Sequence, residues 1–111
     1  MVRQGSVQRL PLRVTHRGAG APWLPFAAQE DPRGAVRIAI RWFGGDGAVL
    51  LDQRTELPRV VAPGESVEAE VSLLATLPPG RYRVRIGLVQ ELVGWFDAAG
   101  DRSLDLAVEV R

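Results

Sequence analysis

The stretch GRYRVRIGLVQ, residues 80–90, alternates apolar and charged side chains with a period of two. Tyr82, Val84, Ile86 and Leu88 fall on one side of an extended chain, and Arg81, Arg83 and Arg85 fall on the other. Successive side chains of a strand point to opposite sides of its sheet, so this pattern predicts a strand with one buried face and one wet face. The pattern recurs. SVEAEVSLL (66–74) sets Val67, Ala69, Val71 and Leu73 against Glu68, Glu70 and Ser72, and AVRIAIRWF (35–43) sets Val36, Ile38, Ile40 and Trp42 against Arg37 and Arg41. SLDLAVEV (103–110) aligns Leu104, Leu106, Val108 and Val110. VQRLPLRV (7–14) aligns Leu10, Leu12 and Val14, with Pro11 marking an edge strand or a bulge.

Turn signals separate these runs. GGDG (44–47) supplies residues that tolerate positive φ, while APGE (62–65) and LPPG (77–80) join proline's fixed φ to a permissive glycine. No window carries a helical period with caps, and the nearest challenger, Ser72 to Leu77, stops at Pro78. Strands with a single apolar face must stack as two sheets about 10 Å apart. The expected fold is all-β: an antiparallel immunoglobulin-like or fibronectin-like β-sandwich, one domain over residues 1–111. About seven strands are expected, near 6–15, 35–43, 48–54, 57–61, 66–74, 81–90 and 103–110. Arg81, Arg83 and Arg85 have potential cross-strand partners in Asp105 and Glu109, or in Glu68 and Glu70. Exposed pairs of this kind contribute about 0–1 kcal/mol each and act mainly on register.

Two segments break the rhythm. HRGAGAPWLPFAAQEDPRGA (16–35) is a long connection, yet Trp23, Leu24 and Phe26 gain nothing from solvation. It reads as a cap folded over one end of the sandwich, or as a recognition loop presenting Trp23. ELVGWFDAAGD (91–101) places Trp95 and Phe96 side by side. With the register of Tyr82 continued, Leu88, Gln90 and Leu92 point inward, and Gly94 marks a bulge or bend. One of the two aromatics, Trp95, is then expected to plug the end of the sandwich, with Phe96 against the 16–35 segment. The candidate ligand- or partner-binding residues are Trp23, Trp95 and Phe96.

Composition narrows the function. The chain has 111 residues, no cysteine and a formal net charge of +1. Disulfides and thiolate metal sites are therefore excluded, and no global field draws in nucleic acid. All 14 basic residues are Arg, as codon usage in a GC-rich genome produces. No run approaches the roughly 20 apolar residues that span a bilayer, and the start MVRQGSVQRLPLRV lacks an apolar signal core. The expectation is no membrane insertion and a cytoplasmic location, or a domain taken from a longer chain. The single histidine, His16, begins a loop, and no G-x-S-x-G elbow accompanies it. Asp31, Asp46, Asp97 and Asp101 share no spacing suited to paired acid chemistry. FGGDG lacks the lysine and following helix of a phosphate loop. No catalytic residue, cofactor or metal is expected.

LRVTHRGAGAPWLP (12–25) resembles the V-x-N-T-G-x-x-x-W-P opening of bacterial immunoglobulin-like accessory modules. RTELPRVVAPGESVEAEV (54–71) and LPPGRYRVRIGLVQELVGWF (77–96) continue the likeness, which runs from about Leu10 to Val110. The chain departs from that pattern at His16, where Asn is usual, and at Leu92–Val93, where small residues are commoner. A looser similarity links it to the four-tryptophan domain of autophagy receptors, although only three tryptophans are present. The bacterial modules are appended to glycosyltransferases, methyltransferases and other proteins of polysaccharide and cell-envelope biosynthesis. The resemblance implies a non-catalytic module that docks a protein partner or enzyme domain. Carbohydrate binding on exposed aromatics is the alternative, and inhibition of intracellular proteases through the 16–35 loop is a third.

Overall fold

The alternating stretch 80–90 lies inside the larger of two sheets, with neighbours on both edges. The computed structural model describes residues 2–17, 22–25, 35–91, 94–96 and 103–111. Within it, β1 is Val7–Thr15, β2 Val36–Phe43, β3 Val49–Glu56, β4 Ser66–Leu74, β5 Gly80–Gln90, β6 the pair Gly94–Trp95, and β7 Leu104–Val110. One edge of β5 is occupied by β2, from Val36↔Gln90 to Phe43↔Arg83. Its other edge is shared by β7, from Gly80↔Val110 to Ile86↔Leu104, and by β6 at Val89 and Gln90. The outermost strand is β3, paired to β2. The smaller sheet is the pair β1–β4, in register from Val7↔Leu74 to Thr15↔Ser66. Every strand pairing is antiparallel, and no helix occurs among the described residues. None there is long and apolar enough to cross a membrane.

The apolar faces meet between the sheets. Val36, Ile38, Ile40 and Trp42 of β2 and Val84 and Ile86 of β5 are buried with Val67, Val71 and Leu73 of β4. Trp42 has no exposed surface, and its ring meets Tyr82 edge-on at 6.0 Å. The Tyr82 hydroxyl donates to the Pro78 carbonyl oxygen at 2.6 Å, fastening β5 to the turn that precedes it. At the β2–β3 hairpin, Gly47 takes φ +83°, a left-handed conformation that a Cβ disfavours. Its amide closes the turn on the Gly44 carbonyl at 3.0 Å, and the Asp46 carboxylate accepts from the Ala48 amide at 3.0 Å.

Three expectations need correction. First, no strand forms at 57–61. Leu57 and Val61 are buried, but the exposed Arg59 between them breaks the alternation, and the segment carries only an isolated bridge from Val61 to Trp23. Pro58 and Pro63 flank that bridge, and each lacks the amide that a continuing ladder needs. The two-residue β6 was not among the expected strands. Second, Leu104 is 45% exposed. Two strands facing five cannot cover the far corner of the larger sheet, so the period-two face of β7 emerges from the core at its first residue.

Third, the charge pairing differs. Glu68 meets its register partner Arg13 on β1 at 3.5 Å, and Glu70 meets Arg9, diagonal to it on the same strand, at 3.9 Å. Arg85 alone of its row bonds Asp105, through two nitrogens at 2.8 and 3.4 Å. Arg81 and Arg83 have no carboxylate partner among the described residues. Glu109, opposite Arg81, is taken by Arg111 at 3.3 Å, and the residue opposite Arg83 is Ala107. The Arg83 guanidinium instead lies 5.3 Å from the centre of the Phe43 ring, with Arg41 and Arg85 at 5.8 and 5.7 Å. Cation–π attraction thus buries Phe43 on the outer face of the sheet.

Urea unfolding tests these assignments. Trp42→Ala is expected to cost about 3–5 kcal/mol as a core cavity. Tyr82→Phe is expected to cost about 1 kcal/mol through loss of one hydrogen bond, and Gly47→Ala about 1–2 kcal/mol through left-handed strain. A Tyr82→Phe variant as stable as the parent would remove the turn-fastening role of that hydroxyl.

Candidate functional site

Backbone pairing, rather than side-chain chance, assembles the aromatic residues at one end of the molecule. Trp23 and Val61 exchange two hydrogen bonds, at 2.8 and 3.0 Å, and the Leu24 carbonyl accepts from the Val36 amide at 3.0 Å. The His16 amide donates to the Glu65 carbonyl at 2.9 Å, and the His16 carbonyl accepts from Gly64 at 2.6 Å. Gly64 sits at φ +84° in the turn that makes this approach possible. The imidazole of His16 then stacks on Trp23, with centroids 4.1 Å apart and planes 9° from parallel. Phe96, held by its amide to the Leu88 carbonyl at 3.0 Å, meets Trp23 edge-on at 5.5 Å and 76°.

His16, Trp23 and Phe96 therefore form one ring cluster. His16 is 4% exposed, so its imidazole is a packed group. Trp23 is half-buried and packs against the core, as does Phe96. The contact between Phe96 and the segment beginning at His16 is the one the cap reading expects. Trp95 pairs through its backbone with Val89, while its side chain lies outside the described residues. Phe26, Asp31, Asp97 and Asp101 lie outside them as well. The histidine's part in this cluster was not legible in the sequence, because nothing local signals that the Gly64 turn brings the start of one loop onto a ring seven residues further on.

The outer face of the larger sheet is a half-buried charge network. Arg37 stands 3.0 Å from Glu56, and the Glu91 carboxylate serves both Arg54 at 2.9 Å and Arg37 at 3.9 Å. Arg54 also makes a close pair with Asp52 on its own strand. These carboxylates face guanidinium groups, an arrangement that holds strands in register. Among the described residues no group of three or more His, Asp or Glu side chains converges as metal ligands would. A cavity of about 280 Å³ opens between the sheets beside Leu12, Val14, Ile86, Leu88 and Leu104.

The sheet edges differ in how they are guarded. The last residues of β7 are closed by Val2, whose amide donates to Glu109 and whose carbonyl accepts from Arg111, at 2.8 and 2.9 Å. The edge strand β1 carries Pro11, which removes a donor from its ladder. By contrast, the far edges of β3 and β4 have no ladder partner among the described residues, and neither strand contains a proline. Of the two, β3 is the one that begins with adjacent exposed apolar residues, Val49 and Leu50, which are 51% and 48% exposed. A bulge sits there: Trp42 pairs with Leu51 and Phe43 with Val49, so Leu50 is the additional residue. The sequence held a signal for this feature. Adjacent apolar residues in a strand point to opposite faces, so Val49, Leu50 and Leu51 cannot all be buried.

Compared with protein-family models, curated proteins and solved structures, the chain matches none.

Double-mutant analysis checks the ring cluster. Trp23→Ala is expected to destabilise by about 2–4 kcal/mol, since the ring is only half-buried. Trp23→Ala and Phe96→Ala together are expected to cost about 1 kcal/mol less than the sum of the single variants, the coupling of one aromatic pair. Strict additivity would mean that the two rings do not pack on each other in solution.

Proposed function

We propose that the chain is a non-catalytic protein-interaction module of immunoglobulin-like build, which receives an extended segment of its partner along the β3 edge. The observation that carries this reading is the unguarded edge itself: an eight-residue ladder, free of proline, with exposed Val49 and Leu50 at its start. An open edge offers a row of amides and carbonyls, and an added strand satisfies them while side-chain contacts supply specificity. Support for the immunoglobulin-like part comes from Tyr82, near the start of β5, whose hydroxyl reaches back to Pro78 as in a tyrosine corner. A fully buried tryptophan, Trp42, on the strand beside it fits the same plan. The sequence resemblance adds a partner class to the proposal, an enzyme of polysaccharide or cell-envelope biosynthesis.

Carbohydrate binding on Trp23, Trp95 and Phe96 is less well supported. A sugar stacks on an open ring face, and one face of Trp23 lies against His16 while Phe96 abuts it edge-on.

Selection from a displayed library of extended peptides tests the interaction reading. Selected peptides are expected to protect β3 amides from hydrogen exchange. Val49→Lys with Leu50→Lys is expected to weaken them by about tenfold or more, since charged side chains guard an edge. The same protein is expected to leave a broad glycan panel untouched, with no quenching of tryptophan fluorescence. Peptides that protect another surface, or a glycan that quenches tryptophan, would overturn the proposal.

A further inference from the structure

The β3 edge carries its own pattern of charge, and that pattern selects a partner. We infer that, resting on the reading of β3 as an interaction edge, a second copy of this chain can occupy it, forming a two-fold dimer in which the larger sheets run on from one copy into the other. Two antiparallel edges related by a two-fold axis must have that axis perpendicular to the sheet. Residues directly opposite then point to the same face, so each residue pairs only with one an even number of positions away. This rule leaves two registers with the longest overlap of the regular stretch 51–56, beyond the bulge at Leu50. One places Arg54 against Arg54 of the second copy. The other places Gln53 on the axis and Asp52 opposite Arg54, twice over.

Charge decides between them. Like charges directly opposite destabilise a ladder, and opposite charges stabilise it. Asp52 and Arg54 share the outer face and form a close pair on one strand, while Arg54 also holds Glu91 at 2.9 Å, so the pairing across the axis adds opposite charges to groups that keep these partners. The inner face agrees with this choice. Gln53, the residue on the axis, donates to the Leu74 carbonyl at 3.5 Å, so Leu74 of each copy lies near the axis. Leu74 is 40% exposed in the single chain, and the joined sheets bring the two copies of this residue towards each other. One edge-to-edge ladder buries less surface than a standard interface of roughly 1,600 Å². The dimer is therefore weak and depends on concentration.

The chain has no cysteine, which makes a cross-linking test clean. Opposed residues of an antiparallel pair stand about 4.5–5.5 Å apart at Cα, inside the roughly 4.4–6.8 Å span of a disulfide. Gln53→Cys is expected to give a disulfide-linked dimer on mild oxidation of concentrated protein. Thr55→Cys is not, because its counterpart lies four residues along, about 14 Å away. In the otherwise unmodified chain, sedimentation velocity is expected to show a monomer–dimer equilibrium that Asp52→Arg weakens about tenfold or more, with the circular dichroism of the fold retained. Equal cross-linking of both cysteine variants, or a strictly monomeric protein at millimolar concentration, would overturn the inference. A monomer whose β3 amides are still protected by selected peptides would overturn the second copy alone and leave the interaction edge standing. Loss of both responses would remove both.

Discussion

The structure depends on one constraint: β5 has both edges occupied and one face that must leave water. Val84 and Ile86 on its inner face are buried, while Arg81, Arg83 and Arg85 on the other stay at the surface side. Backbone pairing with β2, β6 and β7 satisfies its amides and carbonyls, yet does nothing for the apolar row. Only a second layer can do that, because hydrophobic burial scales with apolar area removed from water and a single sheet leaves one whole face wet. The strand β4 supplies this layer, and β1 pairs along one of its edges. The sandwich follows from the sidedness of the central strand.

The second layer is narrow, and most of the molecule's remaining features respond to that. Two strands cover five, so the flanks and ends of the larger sheet need other closures. At one end the His16–Trp23–Phe96 cluster provides one, built from rings that three separate backbone contacts bring together. At the β7 edge Val2 provides another. On the outer face, where no second layer lies among the described residues, guanidinium groups over Phe43 and the Arg37–Glu56–Arg54–Glu91 network do the covering. Where none of these reaches, apolar side chains remain in solvent: Leu104 at one corner, Val49 and Leu50 at another. The exposed positions are thus the residue of a geometric mismatch between layers.

This explains which parts were legible in the sequence. Period-two alternation is a local property, and it located β1, β2, β4, β5 and β7 to within about one residue at most ends. At 57–61 a strand is expected and none forms: Leu57 and Val61 are buried, but burial and ladder formation are separate requirements, and the prolines near that segment permit only the first. Charge pairing was less legible, since it depends on which strands are neighbours. Glu68 and Glu70 belong to the other sheet from Arg81 and Arg83, and no local pattern states that. The ring cluster was half legible: Trp23 and Phe96 announce themselves as apolar residues in polar segments, whereas His16 carries no such mark. An exposed strand edge fits an interaction module, but which strand leaves one open was not legible, because an edge is defined by what fails to pair, a property of the whole sheet.

The guarding of edges bears on the proposed interaction. A strand edge left bare invites any extended chain, so edges are commonly blunted by proline or by isolated charge. In this molecule Pro11 deletes one donor from β1, a loss that does not depend on the sequence of an incoming strand. The charges on β3 act differently, because Asp52 and Arg54 alternate in sign on one face. An incoming strand with a single sign of charge, or with the same order of signs in the wrong register, sets like against like. A strand whose signs run in reverse order past the same two positions meets complements. Antiparallel approach reverses order by itself, so a strand bearing this same acid–base alternation qualifies. The edge is thereby filtered rather than closed, and what filters it is the cross-strand pairing of two side chains on an otherwise open ladder.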